Sequence, residues 1–151
     1  MLDSREINGS YIYKLSVSEI KGTKKRNVEM VTVAESRGIE GDAHSGTFRA
    51  VSMLPYEGFS KVKDRGLEVS PGDFAENITT KGLDFDKLSV GDRIALGKSV
   101  ILEIVQIGKE CHNECAIGQV TGECIMPRQG VFARPLKGGI LREGDSIRIL
   151  R

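Results

Sequence analysis

Val90-Gly91-Asp92-Arg93-Ile94-Ala95-Leu96-Gly97-Lys98-Ser99-Val100-Ile101-Leu102-Glu103-Ile104-Val105-Gln106-Ile107 contains two apolar runs, with Gly-Asp before the first and Gly97-Lys98-Ser99 between them. Gly-Asp suits a tight entry into a strand, because glycine admits positive φ and aspartate bonds its own local backbone. The spacing of the runs predicts a β-hairpin. The second run, Val100 to Ile107, reads as a buried strand. The pattern of Gly-Asp, any residue, Ile, any residue and an aliphatic recurs at Gly144-Asp145-Ser146-Ile147-Arg148-Ile149, so the last strand is placed at Ser146 to Leu150.

Working outward, Tyr11, Tyr13, Leu15 and Val17 alternate with Ile12, Lys14, Ser16 and Ser18, a period of two that marks a half-buried strand. Val28 to Ala34 carries apolar residues on both sets and predicts one strand covered on both faces. Ala50 to Leu54, Asn77 to Thr80 and Val131 to Lys137 add further strands, the last edge-placed or bulged at Pro135. Pro55 opens the main helix, with Phe59, Val62 and Leu67 in register and Gly66 stopping it. Asp84 is placed to cap a helical turn within Leu83 to Leu88.

With 151 residues and 18 glycines, this pattern predicts a mainly β, single-domain chain over 1–151. A closed barrel or strongly bent sheet is expected, with a short helix covering one end and residues 1–9 as a flexible lead-in. A net charge of +1 gives no global field for nucleic acid or membrane. The basic run Lys21, Lys24, Lys25, Arg26 reads as a solvated loop, since no aromatics accompany it for base stacking. The N-terminus lacks the apolar core of a secretory signal, and no run reaches membrane-spanning length, so a cytoplasmic location is expected.

The three cysteines, Cys111, Cys115 and Cys124, and one of the two histidines, His112, follow the long strand. Odd cysteines in a reducing compartment argue for metal, redox or catalytic use rather than a disulfide framework. A Cys3His zinc site is one reading, but adjacent Cys111 and His112 diverge on extended backbone, and Cys124 lacks a near partner. Thioredoxin-type spacing is absent. An inert apolar role suits Cys115 and Cys124 better than Cys111, whose neighbours Lys109, Glu110, His112 and Asn113 are polar. Lys109 and His112 favour its thiolate. Elsewhere His44 lies in the glycine-flanked loop Gly41 to Gly46, where a histidine is often only solvated, Arg49 follows it, and Asn77 and Thr79 offer amide and hydroxyl groups. Arg128, Arg134 and Lys137 offer cations for a phosphate.

Several segments, in this order and spacing, resemble the MOSC domain, named for the C-terminal part of molybdenum-cofactor sulfurases. They are Gly38-Ile39-Glu40-Gly41-Asp42-Ala43-His44, Pro71-Gly72-Asp73-Phe74-Ala75-Glu76-Asn77-Ile78-Thr79, Val90-Gly91-Asp92-Arg93-Ile94, Ile104 to His112, and Gly130 to Arg134 with Leu136 to Gly139. The small stand-alone bacterial form is the nearest in kind. The resemblance implies a pyruvate-kinase-type β-barrel and a site centred on Cys111, which would ligate molybdenum or carry sulfur as a persulfide. Molybdopterin is then the implied cofactor, without pyridoxal phosphate in this chain. A cysteine desulfurase or molybdenum-cofactor biosynthesis proteins are the implied partners. His44, Arg49, Asn77, Thr79, His112, Arg128, Arg134 and Lys137 would hold or orient the cofactor. A molybdenum-dependent reductase of N-hydroxylated compounds is the alternative, and a structural zinc or plain binding module a second one.

Overall fold

The computed structural model describes residues 9–21, 23–64, 66, 68–108 and 130–150. The lead-in expected before the first strand lies almost wholly outside them. The described residues form eleven strands: β1 (Tyr11–Val17), β2 (Arg26–Val28), β3 (Met30–Ala34), β4 (Gly38–Ile39), β5 (Val51–Pro55), β6 (Ile78–Lys81), β7 (Arg93–Leu96), β8 (Val100–Ile107), β9 (Val131–Lys137), β10 (Gly139–Arg142) and β11 (Ile147–Leu150). A 3-10 turn at Tyr56–Phe59 runs into an α-helical turn, α1 (Ser60–Lys63), and a second 3-10 turn covers Phe85–Lys87.

Eight strands form one sheet in the order β11-β7-β8-β9-β5-β6-β1-β2, and β10-β3-β4 form a second. The fold is thus mainly β with little helix. The start of β1, beyond its pairing with β2, approaches the residue before β11 through one antiparallel bridge, Tyr11 to Ser146. Backbone hydrogen bonds from Ile12 N–H to Asp145 O (2.9 Å), from Gly144 N–H to Ile12 O (2.7 Å) and from Ile147 N–H to Ser10 O (3.2 Å) accompany it. A continuous ladder closing a barrel is not present among the described residues.

The hairpin at the centre of the sequence forms as its spacing predicts, with Arg93 opposite Glu103 and Leu96 opposite Val100. The Gly-Asp turns behave alike. Asp92 Oδ2 accepts from Ser89 N–H (2.9 Å), Asp145 Oδ2 from Arg142 N–H (2.8 Å) and Asp73 Oδ2 from Ser70 N–H (2.9 Å). Asp84 caps the second 3-10 turn, accepting from Asp86 N–H at 3.0 Å. The stretch Val28 to Ala34 divides at Glu29, because β2 pairs with β1 in one sheet and β3 with β10 in the other. Pro135 lies past the last β5 partner of β9, Ala133, where its carbonyl accepts from Ser36 N–H at 2.9 Å, and β9 is bulged beside it. Ile101 pairs with Lys137 and Leu102 with Pro135, leaving Leu136 extra. No helix among the described residues is long and apolar enough to cross a membrane.

Strand alternation separates two apolar clusters. Ile12, Leu15, Met53, Ile78, Leu102, Val131 and their neighbours fill one side of the large sheet. Leu54 and Phe132 point the other way and are covered by Phe59 and Val62 of the helical segment and by Val69 and Phe74 of the following loop. That loop approaches β1 and β2 closely at Gly72, which has φ +95. A Cβ there would collide with the Lys25 carbonyl. Lys25 N–H in turn donates to Gly72 O at 2.8 Å. Gly72→Ala is expected to cost at least about 2 kcal/mol, combining positive-φ strain with overpacking. Urea unfolding of the two proteins reads the difference, and an unchanged midpoint would refute the close approach.

Candidate functional site

The connection that carries the cysteines leaves and returns at a single point. β8 ends opposite the start of β9, with Ile107 paired to Val131, and Gly108 N–H donates to Gly130 O at 2.6 Å. Cys111, His112 and Arg128, together with Cys115 and Cys124, lie outside the described residues. Cys111 is three residues beyond Gly108, so covalent reach alone keeps its Cα within about 11 Å of that of Gly108. Beside this point is a concavity of about 420 Å³ whose walls include Leu83, Phe85, Ile107 and Val131, with Glu57, Asp84 and Asp86 supplying negative charge.

The loop between β4 and β5 holds His44 and Arg49. Arg49 is exposed, and its guanidinium sits 5.5 Å from the centre of the Phe132 ring, two residues along β9 from Gly130. His44 belongs to a cluster that the sequence did not disclose. Lys25 is buried rather than solvated, and its Nζ donates to Asp42 Oδ1 at 2.7 Å. Asp42 also accepts from Ser18 N–H at Oδ1 and from His44 N–H at Oδ2, both at 3.1 Å. The His44 ring stands 3.6 Å from Asp42 Oδ2 and 3.4 Å from Lys25 Nζ. Burial alone would push the Asp42 carboxyl up. The side chains of His44 and Lys25 and the two amides more than offset that, and its pKa falls well below the usual carboxylate range. A hint was present, since Gly41-Asp42 is followed by no strand, unlike Gly91-Asp92. Lys25 gave none, because its partner is distant in sequence.

Asn77 and Thr79 lie in a buried polar network on the outer side of the sheet. Asn77 Oδ1 accepts from Ser52 N–H (3.0 Å) and Ser52 Oγ (3.3 Å), and its Nδ2 donates to Ser16 O (3.1 Å). Thr79 Oγ1 donates to Glu76 Oε2 at 2.8 Å. Glu76, fully buried, also accepts from Gly72 N–H (2.9 Å) and Phe74 N–H (3.2 Å). Burial raises the Glu76 pKa while these donors oppose the rise. Both groups singled out in the sequence therefore have protein partners. Arg134 is also engaged, with its Nη2 2.7 Å from Glu103 Oε1. Lys137 is exposed at the far end of β9 from Gly130.

These positions decide how a cofactor would be held. Asn77 and Thr79 are spent on the fold, Arg134 on Glu103, and the concavity beside Ile107 is lined by carboxylates that would repel a phosphate. The described residues do not amount to a holder for a pterin phosphate. Of the expected holders among them, His44 and Arg49 keep a polar group toward solvent on the loop before β5, while Arg134 and Lys137 do so farther along β9. No group of three or more His, Cys, Asp or Glu side chains among the described residues is arranged to bind a metal ion.

Residues 40–148 match the model of the MOSC domain family. The chain belongs to that family. Its structure is similar to that of the YuaD protein from Bacillus subtilis, with TM-score 0.77 at 16% identity, over 91% of this chain and 93% of that one. It is also similar to YiiM from Geobacillus stearothermophilus (TM-score 0.71, 20% identity, 94% and 75% covered). YiiM from Escherichia coli follows the same fold (TM-score 0.66, 18% identity, 93% and 70% covered). At these identities the likeness is one of fold. No curated protein matches the sequence.

Two outcomes check the buried groups. Because the Asp42 pKa is lower folded than unfolded, its stabilisation is present above the unfolded value near 4 and is lost as pH falls below it. Asp42→Asn should therefore cost about 3 kcal/mol at neutral pH by stranding Lys25, and should lose stability less steeply than wild type below pH about 4. Parallel acid slopes in chemical denaturation would contradict this. Glu76→Ala leaves two amides and a hydroxyl unpaired and should cost on the order of 2–3 kcal/mol by the same assay.

Proposed function

We propose that the protein is a molybdenum-cofactor-related domain in which the Cys111 thiolate ligates molybdenum or carries sulfane sulfur. The observation that supports this most is the clamp of Gly108 on Gly130, which ties the cysteine connection to the strand ends of a MOSC fold. A scaffold strand that ends four residues before a cysteine limits where its thiol can stand. In the carrier reading, the Cys111 thiolate attacks the outer sulfur of a donor persulfide. The donor S–S bond breaks, the donor cysteine leaves as thiolate, and Cys111 becomes the persulfide. The next acceptor reverses the same exchange, so no external oxidant is required. The donor would be a cysteine desulfurase, and the acceptor a protein or intermediate of cofactor biosynthesis.

Arg49 is the described cation best placed to support such a site, since Phe132 holds it near the clamp. The concavity bordered by Ile107 and Val131 favours a second reading, reduction of an N-hydroxylated compound, in which its apolar walls and carboxylates would hold a basic substrate. We also infer that the Tyr11–Ser146 bridge is the seam of a barrel, because closure would leave fewer free strand edges.

Incubation with a desulfurase and cysteine, followed by persulfide trapping and intact-mass measurement, should add one sulfur to wild type and none to Cys111→Ser. Label retained by Cys111→Ser would overturn the carrier reading. Molybdenum content after expression in a cofactor-producing host tests ligation, which predicts metal in wild type and its loss in Cys111→Ser. Turnover of an N-hydroxylated compound by cofactor-loaded protein supplied with an electron donor distinguishes the reductase.

A further inference from the structure

Four side chains from separate elements meet on the outer side of the large sheet. Tyr13 is the extra residue of a bulge in β1, since Ile12 pairs with Thr80 and Lys14 with Thr79 across β6. The bulge lets Ile12 and Leu15 both reach the inner core. Tyr13 is left to the other side, where its ring meets that of Tyr56 with 4.6 Å between centres. Tyr56 packs in turn on Phe59 of the outer cluster. Lys81, which ends β6, sets its Nζ 4.1 Å from the centre of the Tyr13 ring and 4.9 Å from that of Tyr56. Lys63, which ends α1, sets its Nζ 5.1 Å from the centre of the Tyr56 ring and donates to the Tyr56 hydroxyl at 3.2 Å.

Ring faces hold these ammonium groups in place without neutralising them. Lys14, Lys25 and Arg134 each have a carboxylate partner, at 2.9, 2.7 and 2.7 Å. Among the described residues no carboxylate stands within ion-pair distance of Lys63 or Lys81. Glu57, next to Tyr56 in the chain, gives its Oε2 to Gly82 N–H at 2.8 Å. The local field is therefore positive. In keeping with it, the hydrogen bond and charge of Lys63 lower the Tyr56 pKa, with Lys81 adding to them and burial opposing.

We infer that this face docks an acidic segment of a partner protein, with Lys63 and Lys81 meeting its carboxylates and the Tyr13 and Tyr56 rings packing against its chain. Two ammonium groups already gathered about one ring lose little further freedom when a carboxylate arrives. Tyrosine suits such an interface, because a large rigid ring and a hydroxyl come with few rotatable bonds. The paired rings also offer more area than a lone oxyanion would cover, which favours a carboxylate-bearing chain. Pro55 and Glu57 on either side of Tyr56, and Gly82 after Lys81, border the concavity whose walls include Ile107 and Val131. A partner seated here stands beside the point where the cysteine connection leaves the sheet. Docking itself does not require Cys111, and only its purpose rests on the function proposed above.

Carbon-13-labelled tyrosine rings report the site in the full chain, with Tyr13→Phe and Tyr56→Phe assigning the two signals. An octaglutamate peptide titrated at neutral pH and about 50 mM salt should shift both rings saturably. Replacing both lysines, as Lys63→Gln with Lys81→Gln, should weaken that binding about threefold to tenfold, the worth of two exposed ion pairs. No saturable shift of either ring, or an affinity unchanged in the double variant, would overturn the docking face. So would orthophosphate that saturates the rings while the peptide leaves them unmoved, which marks a site for a small oxyanion. Lys63 is exposed, so Lys63→Gln alone carries the affinity test if the double variant fails to fold. No arm uses Cys111, so failure here is distinct from failure of persulfide trapping.

Discussion

Asn77 fastens together three strands that backbone pairing alone would join less firmly. β5 and β6 run parallel, and β1 lies antiparallel on the other side of β6. From the start of β6, the amide of Asn77 reaches the backbone of Ser52 on β5 and of Ser16 on β1. Its own N–H completes the exchange, donating to Ser52 O at 3.0 Å and to Ser52 Oγ at 3.1 Å. Inside the protein such bonds cannot be replaced by water, so a buried amide with these partners sets the register firmly. Glu76 extends the network into the covering loop through Gly72 and Phe74, and Gly72 meets Lys25. The chain's buried polar groups therefore form a path from the strand junction toward Lys25, Asp42 and His44.

This arrangement explains why the outer side of the sheet sets buried polar groups beside a small apolar cluster, while its inner side is apolar throughout. The inner cluster gains its stability from area removed from water, which is non-directional and tolerant of detail. A loop laid over a sheet needs partners for each backbone amide that it buries. Glu76 supplies two of those acceptors at the price of its own burial. Positive φ at Ala75, the residue before it, is a further sign that this turn is shaped by its partners rather than by local preference.

Much of the strand pattern was legible. β1 occupies the residues its alternation marks, β8 and β9 those of an apolar run and an extended stretch, and the Gly-Asp turns and the Asp84 cap follow from local chemistry. The division of Val28 to Ala34 between two sheets was not legible, because a run apolar on both sides looks the same whether it continues or turns at Glu29. The short strands β4 and β10 carry too few residues to show a period. Pro135 was readable as a break in pairing, and the neighbouring strands show both a bulge beside it and the end of the β5 ladder before it.

The sequence by itself determined the mainly β character, the family, and the cysteine segment beyond the longest strand, since each depends on residue types and spacings along the chain. Tertiary structure alone decided which polar residues are spent on the fold. Asn77 and Thr79 look like ligand donors in a linear reading, yet their partners Ser52, Ser16 and Glu76 satisfy them. Lys25 looks like one more solvated base in a charged run, yet it is buried against Asp42. The physical reason is that hydrogen bonds and ion pairs act over a few ångströms of space, whatever the separation in sequence. The roles of Ser52, Asn77, Lys25 and Asp42 exist only once the strands that carry them have met.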